Sequence, residues 1–165
     1  MQLIRCTQKL LKELRVKPSD IEPDRGSIGG WHANLLRFER RKCVLFTNDK
    51  TLYSIFVPAL KRPDFEHFEE VFRQNFFRRL RIEGFTQSQI EKVLVEYNQV
   101  GFAKTNNRSV LGSMNDLSFQ IEFLIGRFGG LANLDLDALN HEINRVPMSA
   151  IKGIYSIDVL RKKVE

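Results

Sequence analysis

Apolar and polar positions along this chain repeat with two periods, and the points where the period changes predict the elements. "QLIRC" (2–6) reads as a short strand. Thr7 is placed to cap a following helix whose inner face is Leu10, Leu11 and Leu14. "KPSDIEPDRGSIGG" (17–30) is rich in Pro, Gly, Asp and Ser, which predicts a loop and the most mobile segment. Three strand runs follow, "HANLLRF", "CVLF" and "LYSIFV", separated by the short polar breaks "ERRK" and "TNDKT". Breaks that short predict an antiparallel meander over about residues 31–58, closed by Pro58. "CVLF" lacks polar alternation and is expected to be covered on both faces.

The rest of the chain is mainly helical in period. Phe65, Phe68, Phe72, Phe76 and Leu80 fall on one face of a helix predicted over 64–82. Acids crowd its first turns, and Arg73, Arg78, Arg79 and Arg81 crowd its last, an order that counters the helix dipole. In the next helix Thr86 and Gln89 form a capping box, with Phe85 and Ile90 spaced as a hydrophobic staple. "VGFAK" (100–104) reads as a strand. Val110, Met114, Leu117, Ile121, Leu124 and Phe128 then form a helical seam. Phe119, Phe123 and Ile125 broaden it, which predicts the most buried helix, stopped by Gly129 and Gly130. "LDALNHEINRV" fits helix or strand, and a weakly amphipathic tail ends the chain. The expected fold is a single α+β domain over 1–165, an antiparallel meander sheet packed with four to five helices.

Composition narrows the class. With 165 residues, 42% hydrophobic and 28% charged, the chain is of ordinary globular type. No apolar run approaches a membrane span, and the start lacks the pattern of a signal peptide, so a cytoplasmic location is expected. Cys6 and Cys43 stand apart in strand-like contexts and are expected to be reduced, buried thiols. His32, His67 and His141 have no metal-ligand spacing, so neither a metal nor a cofactor is expected. A net charge of +6 is compatible with a polyanionic partner.

Two stretches carry candidate chemistry. "TNNRSVLGSMND" (105–116) opens a long helix with polar residues and places Gly112 in its first turns. A helix start presents free N–H groups and partial positive charge. Arg108 adds a full charge there, and Gly112 gives room for close approach. Asn106, Asn107, Ser109, Ser113 and Asn115 are the accompanying ligand candidates. The competing reading is local: Asn106 and Asn107 make the turn, Ser109 caps, Gly112 packs under a strand, and Asn115 and Asp116 bond to neighbouring loops. In "GGWHANLLRFERRKCVLFTND" (29–49), His32 and Asn34 alternate onto one strand face, and Arg40, Arg41 and Lys42 form a basic hairpin tip. Dinucleotide, P-loop, nucleophile-elbow, zincin and RNA-recognition signatures are all missing.

"WHANLLRFERRKCVLFTNDKTLYS" (31–54), "TNNRSVLGSMNDL" (105–117) and "IRCTQKLLKEL" together resemble an uncharacterised family of small bacterial proteins, a domain of unknown function. The resemblance implies a stand-alone bacterial cytosolic domain and carries over no activity. The residues themselves favour binding of an anionic ligand, a phosphate-containing small molecule or nucleic acid, at the helix start near Arg108, with His32, Asn34 and Asn115 orienting it. A hydrolase or nuclease using His32 and Asp116 is the second reading. A protein-interaction module, with itself as one possible partner in a homo-oligomer, is the third.

Overall fold

The computed structural model describes residues 1–165. In chain order the elements are β1 (Gln2–Cys6), α1 (Gln8–Leu14), β2 (Trp31–Phe38), β3 (Arg41–Asn48), β4 (Ser54–Val57), α2 (Arg62–Glu66), α3 (Phe68–Ile82), α4 (Gln87–Leu94), β5 (Val100–Lys104), α5 (Arg108–Arg127), α6 (Leu136–Ile143) and α7 (Ser156–Val164). The strands form one sheet of order β4-β3-β2-β1-β5. The expected meander is present as β2–β3–β4, with Trp31 opposite Asn48 and Phe46 opposite Ile55. The sheet as a whole is mixed, because β1 runs parallel to both β2 and β5. The long excursion through α1 and residues 17–30 supplies the crossover that a parallel pair needs. Local alternation identifies a strand but not its neighbour, so the parallel half was invisible in the pattern.

Helices cover both faces of the sheet. Trp31, Phe46, Phe72, Phe76 and Tyr97 belong to the larger core, under α1–α4 and α7. Cys43, Leu45, Phe56, Met114, Ile121 and Leu139 belong to the second, under α5 and α6. Consecutive β3 residues thus enter opposite cores, which is why "CVLF" shows no polar alternation. Trp31 meets Phe72 and Phe76 edge-on at 5.1 and 5.0 Å, a favoured aromatic geometry. Its indole N–H donates to the Tyr97 hydroxyl, which donates in turn to the Gly29 carbonyl.

The helix count is seven rather than four or five. The helix expected over 64–82 breaks at His67 (φ −119°, ψ 43°) into α2 and α3. Phe65 and Phe68 on either side of the break are both buried, so the apolar pattern runs through it unchanged. The two ambiguous C-terminal stretches both fold as helices. The capping box of Thr86 and Gln89 forms in both directions. Thr7 precedes α1, but its hydroxyl bonds the side chain of Asn34 rather than the helix. The loop over 17–30 is held at Ser19, Asp24 and Ser27, whose N–H groups donate to Phe102, Met1 and Glu96.

α5 departs from expectation on one side. Phe119 and Phe123 are 64% and 65% exposed, while Ile125 is buried. They lie outside the seam of Met114, Leu117 and Ile121, on the solvent side, so α5 is amphipathic rather than wholly buried.

Strand β4 is one edge of the sheet, and α6 covers it with side-chain amides. Asn144 accepts from the Ser54 N–H (2.7 Å) and donates to the Ser54 carbonyl (2.8 Å). Asn140 makes the same pair of bonds with Phe56 (2.8 and 3.2 Å). Four residues along a helix advance roughly 6 Å and two along a strand roughly 6.6 Å, so i,i+4 asparagines match alternate strand residues. This replaces a missing strand and blocks edge pairing. Asp137 of the same helix joins Arg78 and the buried Arg79 of α3, tying the two layers past that edge.

Candidate functional site

At the start of α5, Asn107 is the N-cap: its side-chain oxygen accepts from the Val110 N–H at 3.1 Å. The Asn106 N–H donates to His32 Nε2 at 3.3 Å. His32 Nδ1 lies 2.6 Å from an Asp49 carboxylate oxygen. A ring that accepts at Nε2 carries its proton on Nδ1, so this histidine is a neutral link between the β5–α5 turn and the turn after β3. Asn48 organises that second turn. Its oxygen accepts from the N–H groups of Lys50 and Thr51 and from the Thr51 hydroxyl, and its amide donates to Ile28 and Gly30.

The predicted site residues therefore separate. His32 and Asn106 meet, and Asn34 lies on the same face of β2, bonded to Thr7. Arg108, Ser109, Asn115 and Asp116 are exposed, and Ser113 is half-buried. None of these five forms an ion pair. The only hydrogen bond from Asn115 outside the helix ladder is its carbonyl accepting from Ser118. Gly112 does not pack under a strand, for nothing lies within 4 Å of where its Cβ would stand. The partner of His32 is Asp49, not Asp116. The His32 side chain has no exposed surface, and both its ring nitrogens are bonded within the chain. His32 is buried on β2, whereas Asp116 is exposed on α5.

A different place collects unpaired charge. Between the end of α1, the β2–β3 turn and the β4–α2 connection lies an open cleft of about 680 Å³. Arg15, Arg40, Arg41, Lys61 and Arg62, with Lys12 and Lys42, all line it. Glu13 is the one carboxylate among its lining residues. Glu13 is already taken up: Lys42 donates to it at 2.6 Å, and Arg62 lies 3.9 Å away. The Lys42 hydrogen bond, with the charges of Lys42, Arg62 and Arg37, outweighs burial and holds the Glu13 carboxyl below its ordinary value. Lys12, Arg15, Arg40, Arg41 and Lys61 form no ion pair.

The backbone of this cleft is strained. Arg15, Arg40 and Ala59 all have left-handed φ, at 59°, 65° and 55°. Such a conformation costs a side-chain-bearing residue about 1–2 kcal/mol. Glu39 (φ 50°) and Arg40 together make the two-residue turn between β2 and β3, in a position that ordinarily takes Asn-Gly. The Glu39 carboxylate leaves the cleft to accept from the Leu131 N–H at 2.6 Å. Arg40 is therefore not neutralised by its neighbour. Sequence reasoning noticed the basic tip Arg40–Lys42 but missed Arg15, Lys61 and Arg62, which join it only through the crossover after β1 and the turn after β4.

The remaining reactive groups are not assembled. No three His, Cys, Asp or Glu side chains come close enough to hold a metal ion. Cys6 and Cys43 are free and buried. Burial pushes the Cys6 thiol up to about 12, far from a reactive thiolate. No helix is long and apolar enough to cross a membrane.

No curated protein and no solved structure matches the chain. A family model matches residues 3–159, and by it the chain belongs to the family described as Domain of unknown function (DUF6933).

Proposed function

We propose that the protein binds a multiply charged, phosphate-bearing anion in the cleft bounded by Arg15, Arg40, Arg41 and Arg62. One observation carries this reading: cations from three separate chain segments face one concavity, and most of them have no anionic partner within the protein. Like charges held together repel, and the arrangement also bears strained backbone at Arg15, Arg40 and Ala59. The repulsion is offset when an anion binds. Arginine is suited to the task because its planar guanidinium matches phosphate oxygens two at a time. The buried thiols support a reducing, cytoplasmic setting.

Isothermal titration with tripolyphosphate, ATP and a short single-stranded oligonucleotide tests the proposal. Binding is expected to weaken at least about tenfold in Arg40→Glu/Arg41→Glu, and to stay unchanged in Arg108→Ala. A nucleic-acid ligand separates from a small phosphate by the salt slope, about −0.7 per phosphate on a single strand. If no anion binds the parent chain, or if the double variant binds as tightly, the cleft is not the site. Loss of binding in Arg108→Ala alone would return the site to the start of α5.

A further inference from the structure

The solvent face of α5 holds an apolar pair with a charge at each end. Phe119 and Phe123, one turn apart, are 64% and 65% exposed. With Leu124, Arg127, Glu142 and Val146 they border a shallow groove of about 410 Å³. Asp116 lies one turn before Phe119, and Arg127 one turn after Phe123. Both are exposed and neither forms an ion pair within the chain. Eleven residues make about three helical turns, so Asp116 and Arg127 stand on the same flank of the face. Gly112 and Gly126 on this face have nothing within 4 Å of where a Cβ would stand, which lets another backbone come close.

We propose that this face joins two copies of the chain, with their α5 helices antiparallel across a two-fold axis. In a two-fold antiparallel pair, each flank of one helix meets the same flank of its partner. Phe119 then packs against the partner subunit's Phe123, and Asp116 meets the partner subunit's Arg127. The apolar pairing centres on Ile121 and the charged pairing between Ile121 and Glu122, half a residue apart, so a single register satisfies both contacts. A parallel pair would instead set Asp116 beside its own copy and Arg127 beside its own copy. The charge pattern therefore selects both the partner and the orientation. An exposed phenylalanine pair on an otherwise polar helix face is the kind of patch that marks a contact surface.

Sedimentation velocity on the full chain over a concentration series tests this. A concentration-dependent dimer is expected. Asp116→Arg and Arg127→Asp should each raise the dimer Kd about tenfold, and the two together in one chain should restore it, because both cross-pairs are re-formed with reversed sign. Phe119→Asp/Phe123→Asp should be monomeric with unchanged circular dichroism, since both rings are exposed in the single chain. A parent chain that stays monomeric at about 1 mM overturns the proposal. So does a dimer that survives loss of the phenylalanines, a charge swap without rescue, or a monomer that instead takes up an amphipathic peptide on this face.

Discussion

The start of α5 and the basic cleft make opposite use of polar residues. At the start of α5, the side chains of His32, Asp49, Asn48 and Asn107 and the Asn106 N–H bond one another or the backbone. In the cleft, Arg15, Arg40, Arg41 and Lys61 are left without carboxylates, on a backbone with three left-handed residues. A polar group bonded to the chain itself holds the fold; an unpaired group on a strained frame is available to a ligand. The first region is the more unusual in sequence, and the second the more suggestive in space.

The largest effect expected from this contrast is on stability. His32→Leu leaves the Asn106 N–H without its acceptor and Asp49 without its donor, both next to a side chain that has no exposed surface. The cost should be about 2–4 kcal/mol, measured by urea unfolding, with the midpoint shifted and the slope kept. A loss within about 0.5 kcal/mol would mean that the network is ornamental and that the polar groups there are free for another purpose.

Arg40→Gly should act in the opposite direction. Glycine adopts φ 65° without a Cβ penalty, so the turn after β2 should gain about 1 kcal/mol of stability. The same change removes a cation from the cleft and should weaken tripolyphosphate binding. A variant that is more stable and binds less tightly separates the strain from its use. One that is more stable and binds equally well would show that the strain has nothing to do with the ligand.

What the sequence made legible follows from the range of each interaction. The seam of α5, the capping box of α4 and the β2–β3–β4 meander depend on residues a few positions apart, and all three appear as read. The parallel pairing of β1, the bonding of Asn140 and Asn144 to β4, and the assembly of the cleft depend on residues brought from far along the chain. The exposure of Phe119 and Phe123 was misread because a broad apolar arc on a helix looks the same whether it faces a core or another molecule. The left-handed turn at Glu39–Arg40 was hidden because neither residue belongs to turn chemistry.

Acid should produce a smaller and graded change in the cleft. Glu13 is held below its ordinary value of 4.5, chiefly by the hydrogen bond from Lys42. A carboxyl lowered in the folded state adds stability that is complete above the ordinary value and is lost as pH falls through the lowered one. Stability should therefore decline below about pH 4.5, and the decline should be shallower in Glu13→Gln. Equal acid slopes in the two proteins would show that Lys42 and Arg62 do not depend on this carboxylate.

The smallest effect belongs to the residue that the sequence made most prominent. Arg108 is exposed at the first turn of α5 and forms neither an ion pair nor a side-chain hydrogen bond. A cation at a helix N-terminus is opposed by the helix dipole, so its removal should be neutral or mildly stabilising, within about 0.5 kcal/mol. Thermal unfolding of Arg108→Ala should thus coincide with the parent within a few degrees. Anion titration of the same variant decides the comparison between the two regions. If binding is retained while Arg40→Glu/Arg41→Glu loses it, the unpaired cations of the cleft are the recognition groups. If Arg108→Ala is as stable as the parent yet no longer binds, an unfavourable charge is being kept at the start of α5 for a ligand, and the cleft's cations serve only solubility.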